Sequence, residues 1–139
     1  MLADLSPIHA TLALMSALLV KHAIADYGLQ TGYMFRNKGR YLHPGGILHA
    51  GIHAFFTAGV LAFFAPAALP LIAAIAAAEL VLHYHIDWAK ERIGCGCELE
   101  PTCAGFWQLH GLDQLLHGLT YVAIAAFFLP TITTATGAG

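Results

Sequence analysis

Four pairs of hydrophilic residues recur at a spacing of four: His22 with Asp26, His49 with His53, His83 with Asp87, and Asp113 with His117. Residues four apart share one face of an α-helix about one turn apart, so each pair would aim two side chains in one direction. Imidazole nitrogen and carboxylate oxygen are standard ligands for divalent zinc, iron or manganese. Each pair sits in or beside an apolar run, as in "ELVLHYHIDWAKERI" from Glu79 to Ile93, which follows directly on "LPLIAAIAAA". An Asp or Lys at the centre of a membrane helix costs about 2.5–3.5 kcal/mol on insertion scales. Such groups persist where they face a protein interior and find partners. A metal ion would answer that need.

Four apolar stretches could carry the pairs: about Ile8 to Gly28, Ile47 to Phe64, Ala67 to Trp88 and Phe106 to Leu129. Each is close to the roughly 20 residues that a helix needs to cross about 30 Å of hydrocarbon. Composition agrees, because 58% of the 139 residues are hydrophobic and only 10% are charged, against roughly 25% charged in soluble domains. The expected fold is all-α, a four-transmembrane-helix bundle running up-down-up-down, with residues 1–139 forming a single integral-membrane domain. A cleaved signal peptide fits the first segment poorly. It lacks a basic leader, and Lys21, His22 and Asp26 interrupt its second half. The formal net charge of −2 speaks against a nucleic-acid partner, which would want a basic face. The lipid bilayer is the expected partner, and four short helices around a polar core could also need a second copy of the chain to shield them.

The connections set the depth of the pairs. "APAALP", residues Ala65 to Pro70, reads as a tight turn, whereas Leu29 to Gly46 and Gly94 to Gly105 are longer and polar. Arg36, Lys38 and Arg40 lie in the first long loop, and Lys90 and Arg92 flank the second. By the positive-inside rule both long loops face the cytoplasm and both termini face outward. All four pairs then fall at the cytoplasmic end of the bundle, at one depth. The expected metal ligands are His22, Asp26, His49, His53, Asp87, Asp113 and His117, with His83 next. Gln30, His85, Lys90, Gln108, His110 and Gln114 lie around them and would orient ligand imidazoles or bind substrate. Glu79, one turn before His83, would be a deeper member of the same polar set. A structural network of histidines hydrogen-bonded across helices, with no ion, is the plain alternative.

The remaining signals are weaker. "YLHPGG", residues Tyr41 to Gly46, reads as an irregular turn entering the second helix, with His43 solvated. His9 falls near the other membrane face, and Trp88, Trp107 and Tyr121 read as interfacial aromatics. Cys95, Cys97 and Cys103 share the second long loop with Glu98 and Glu100. In a reducing cytoplasm they would be bystander thiols or a second, soft-metal site completed by His43 or a glutamate. A disulfide would fit only an inverted topology.

"KHAIADYGLQTGYMFRNK", "ILHAGIHAF", "ELVLHYHIDWAKERI" and "LHGLDQLLHGLTY" together resemble the bacterial membrane family catalogued as domain of unknown function 3307. The resemblance spans about Lys21 to Tyr121. It covers His22, Asp26, Gln30 and Lys38, then His49 and His53, then Asp87 and Lys90, then Asp113, Gln114 and His117. It implies a multi-pass protein of the bacterial inner membrane and carries no activity with it. A looser similarity, to membrane-bound metal-dependent hydrolases, points towards hydrolysis by analogy alone.

The resulting expectation is an inner-membrane metalloprotein holding one or two divalent metals, zinc first, near the cytoplasmic interface. As a hydrolase it would use a metal-activated water, with an unligated Asp or His as base and Lys90 facing an anionic or developing charge. Asp87, Lys90 and His83 are the catalytic candidates. Headgroup depth suits an amphiphilic or lipid-linked substrate. Metal-ion or proton transport, and b-haem or quinone electron transfer, are the competing classes.

Overall fold

The computed structural model describes residues 6–136. Helix α1 (Pro7–Ala23) runs straight into a π-helical turn (Ile24–Leu29). A short α2 (Gly32–Asn37) follows, then three long helices: α3 (Pro44–Phe64), α4 (Leu69–Gly96) and α5 (Ala104–Thr136). Among the described residues there is no strand. Four segments, Pro7–Leu29, Pro44–Phe64, Leu69–Gly96 and Ala104–Ile132, are long and apolar enough to cross a bilayer. The chain is therefore an all-α, multi-pass membrane protein. Helix α1 packs on α3 and α5, and α4 packs on the same two, which closes the four spans into a ring.

Three local features depart from the sequence expectation. Helix α3 starts at Pro44 rather than near Ile47. A proline in the first helical turn gives up an N–H that has no intrahelical partner there anyway. The residue before it, His43, is the cap: its Nδ1 accepts from the Gly45 N–H at 3.1 Å. "YLHPGG" is thus a turn at Tyr41 and Leu42 that leads through His43 into the helix at Pro44. Helix α4 continues to Gly96, about two turns past Trp88. The first long loop also contains α2, whose N-cap Thr31 accepts from Met34 N–H at 3.4 Å.

The interior divides into two layers. Leu14, Leu18, Leu61 and Phe128 are fully buried and form an apolar plug in one half of the bundle. The other half buries a concentration of polar groups among small and aromatic residues such as Ala25, Ala50, Ala54 and Tyr84: Lys21, His22, His49, His53, Glu79, His83, Asp87, Asp113 and His117 are all buried. Large apolar side chains such as Phe55, Phe63 and Phe127 face outward, as hydrocarbon contact allows and water would not. The polarity of this protein is inside out at one end.

Candidate metal centre

The site is assembled by one turn from each spanning segment. Helix α3 contributes His49 and His53, α4 contributes His83 and Asp87, and α5 contributes Asp113 and His117. His22 comes from the last turn of α1 and Asp26 from the π-helical turn beyond it. Single π turns are rare and concentrate at functional positions. Here it carries the Asp26 carboxylate inward, so that Oδ1 lies 3.1 Å from His53 Nε2 and 3.3 Å from His49 Nε2.

The imidazoles converge through their Nε2 atoms. His49 Nε2 lies 3.3 Å from His83 Nε2 and 3.1 Å from Asp87 Oδ2. His83 Nε2 is 3.6 Å from the same oxygen, and His117 Nε2 is 3.7 Å from Asp87 Oδ1. Two groups of atoms have metal-ligand chemistry and lie within 4.8 Å of one another: Asp26, His49, His53 and His83, and then His83, Asp87 and His117. His83 belongs to both. His22 and Asp113 lie at the edges of these groups. His22 Nε2 is 3.2 Å from Asp26 Oδ2, and Asp113 Oδ1 is 3.5 Å from His117 Nε2.

Electron pairs outnumber protons in this pocket. A neutral imidazole carries one N–H, yet His49 Nε2 faces two carboxylate oxygens and another ring nitrogen. Asp87 Oδ2, Asp113 Oδ1 and the Nδ1 atoms of His49, His53 and His83 are buried without a hydrogen-bond partner. Unpartnered buried polar atoms each cost about 1–3 kcal/mol, more when charged. The two carboxylate oxygens lie 3.1 and 3.5 Å from the Nε2 atoms of His49 and His117, an arrangement a cation would relieve.

Several residues secure the cluster from outside. Tyr121 hydroxyl is hydrogen-bonded to His22 Nδ1 at 2.9 Å, and Gln114 Oε1 meets His22 Nε2 at 3.4 Å while its amide donates to Asp113 Oδ2 at 3.1 Å. Lys38, buried at the end of α2, places Nζ 3.5 Å from Asp87 Oδ1. Lys21 donates to the His53 carbonyl at 3.2 Å and pairs with Glu79 at 2.6 Å. Gln30 donates to the Asp26 carbonyl at 3.1 Å.

Other candidates are left apart. His85 is exposed and bonds the Val81 carbonyl of its own helix, Gln108 is exposed, and His110 stacks near Phe106. Lys90 pairs with Glu91 at 3.0 Å beside the cluster rather than in it. Cys95 and Cys97 are exposed, Cys103 is half-buried, and all three are free thiols. Neither ligand group includes a cysteine. Sequence reasoning passed over Lys21 and Tyr121 as members of the site, and read Lys38 chiefly as a loop charge.

Fold and cluster together define a class: a multi-pass helical membrane protein with a buried His/Asp constellation at one end of its bundle. The model of the family described as "Protein of unknown function (DUF3307)" matches residues 14–137. The chain belongs to that family. No curated protein and no solved structure matches it.

Proposed function

We propose that this protein is a metalloprotein of the bacterial inner membrane, and that the cluster holds one divalent cation at a time. The observation that carries the reading is the excess of inward-facing acceptors, above all the unpartnered Asp87 Oδ2 among imidazole Nε2 atoms. Charge supports the stoichiometry. Four acids (Asp26, Glu79, Asp87, Asp113) meet two lysines (Lys21, Lys38) in this half of the bundle, an excess of two carboxylates. One divalent ion balances them. His83 also serves both ligand groups with a single Nε2, so the two positions compete for one ion.

Zinc is the preferred ion, since nitrogen with carboxylate oxygen is an ordinary zinc donor set; iron and manganese accept the same atoms. A bound ion of this kind supplies a water made acidic enough to act as hydroxide near neutral pH. Of this chain's own groups, Asp113, at the edge of the ligand groups and 3.5 Å from His117 Nε2, would take the proton, and Lys90 beside it would face an anionic substrate. Hydrolysis of an amphiphilic substrate at headgroup depth is the reaction this arrangement suits.

Two rival classes fit less well. Transport through the chain would have to breach Leu14, Leu18, Leu61 and Phe128, which seal the half beyond the cluster. A haem would need a wide slot between opposed histidines, but the His53 and His83 rings are centred 3.8 Å apart and those of His83 and His117 4.1 Å. Elemental analysis of the detergent-purified protein tests the proposal. One divalent ion per chain, lost in a His49→Ala/His53→Ala variant that still folds, is the expected result. Metal near zero in the parent protein would leave a purely structural network.

A further inference from the structure

The seam between α4 and α5 is not closed by side chains. Three hollows follow one another along it. The largest, 690 Å³, is walled by apolar residues including Leu71, Ala78, Leu82, Leu116, Ala123 and Phe127. The second, 270 Å³, shares Leu82, Ile86 and Leu116 with the first and ends at Lys90 and Asp113. The third, 430 Å³, shares Lys90 and Leu109 with the second and opens at Glu98 and Glu100. A single lane thus runs from the apolar hollow, past Asp113 at the edge of the cluster, to the loop at the bundle's end.

The charges along this lane have an order. Glu79 and Asp113 border the first two hollows with buried carboxylates, Glu79 paired with Lys21. From there outward come one cation, Lys90, and then two acids at the mouth, Glu98 and Glu100, while Glu91, also lining the mouth, is paired with Lys90 at 3.0 Å. We propose that the seam binds a membrane phospholipid with a phosphoethanolamine headgroup. Its acyl chain fills the apolar hollow, its phosphate meets Lys90, and its ammonium meets Glu98 and Glu100. A phosphoglycerol lipid would satisfy Lys90 but leave those two carboxylates facing uncharged hydroxyls. The phosphate would then lie beside Asp113, next to the ion of the metal reading. The assignment deepens that reading by naming the amphiphile, and rests on it only for the link to the ion.

Native mass spectrometry of the full chain, released from nanodiscs holding equal parts of phosphoethanolamine and phosphoglycerol lipids with identical acyl chains, tests the proposal. The expected result is retained ethanolamine lipid, favoured about threefold, the scale of a solvent-facing ion pair. The preference should vanish in Glu98→Gln/Glu100→Gln. Ala78→Trp, which fills the hollow, should abolish retention, whereas Ala77→Trp, on the exposed face beside it, should not. Equal retention of both lipids, a preference for phosphoglycerol, or indifference to Ala78→Trp would each overturn the assignment. Metal content measured on the same samples separates the two claims. Bound ion without lipid selectivity sinks this one alone, and selective lipid without ion sinks the metal reading alone.

Discussion

Lys21 Nζ lies 2.6 Å from Glu79 Oε1, and this pair joins α1 to α4 one helical turn from His83 with both side chains withdrawn from solvent. The same ammonium donates to the His53 carbonyl and lies 4.6 Å from the centre of the Tyr121 ring. One cation therefore touches α1, α3, α4 and α5. It forms the floor between the apolar plug and the imidazoles.

Removing either partner of a buried pair leaves an uncompensated charge, which costs about 3–5 kcal/mol. Lys21→Met and Glu79→Leu should each lower the melting temperature in detergent sharply. The double variant should recover most of the loss, because apolar replacement of a whole buried pair is often neutral. Thermal unfolding of the three proteins checks this; a double variant no better than the worse single would show that the pair acts through separate partners.

Tyr121 bears on function rather than on stability. Its hydroxyl fixes His22 through Nδ1, and His22 in turn braces Asp26. Tyr121→Phe keeps the buried ring but frees the imidazole. Partners of this kind typically change metal affinity by 10–100-fold, and the indirect route through His22 places the expected loss near about tenfold. Competition titration with a metal-binding dye reads that loss. Melting of the metal-free protein should shift little, and a large shift there would make Tyr121 a packing residue only.

The cluster was legible in the sequence because its members obey one rule: residues four apart in an apolar helix share a face. The rule placed the four pairs and also Glu79, which precedes His83 by four. It equally excludes His85, two residues from His83 and so on the opposite side of α4, where the structure has it exposed. Lys21 escaped because a lysine near a helix end reads as interfacial by composition. Tyr121 follows His117 by four, so the same rule puts it on the cluster face, and it escaped because a tyrosine in a span reads as interfacial. Their burial is decided by which helices are neighbours. Lys38 escaped for a similar reason: its loop folds into α2 and carries the ammonium back over Asp87. The π-helical turn that inserts Asp26 has no counterpart in hydrophobic periodicity at all.

Two glycines of α3 should respond in opposite directions. A Cβ on Gly46 would stand 3.1 Å from Tyr84 Cε2 and 3.3 Å from Lys38 Cα, in the contact that packs the start of α3 against α4 and the end of α2. Tyr84 is itself tied to this region, as its hydroxyl accepts from the Leu42 N–H. Gly51 has open space around it. Gly46→Ala should cost about 1–3 kcal/mol through overpacking, while Gly51→Ala should gain up to about 1 kcal/mol from helix propensity. Denaturant melts in detergent decide it, and equal effects would mean that the close approach at Gly46 relaxes freely.

Charge gives a testable expectation for the orientation. Arg36, Lys38, Arg40, Lys90 and Arg92, five of the six lysines and arginines, lie at the cluster end of the bundle, and the remaining one, Lys21, is consumed by Glu79. Lys38 is buried and counts for less, yet no basic residue marks the opposite end. By the positive-inside rule that end is expected to face the cytoplasm. The chain carries its own reporters, since Cys95 and Cys97 are exposed at the end of α4. A membrane-impermeant maleimide should leave them unlabelled in intact cells and label them once the inner membrane is opened. In a variant with all three cysteines replaced by serine, Ser6→Cys, at the start of α1, should react in cells whose outer membrane alone has been permeabilised. Labelling of Cys95 under that last condition would invert the topology. It would also put the His/Asp cluster, and the mouth of the α4–α5 seam, on the other side of the membrane.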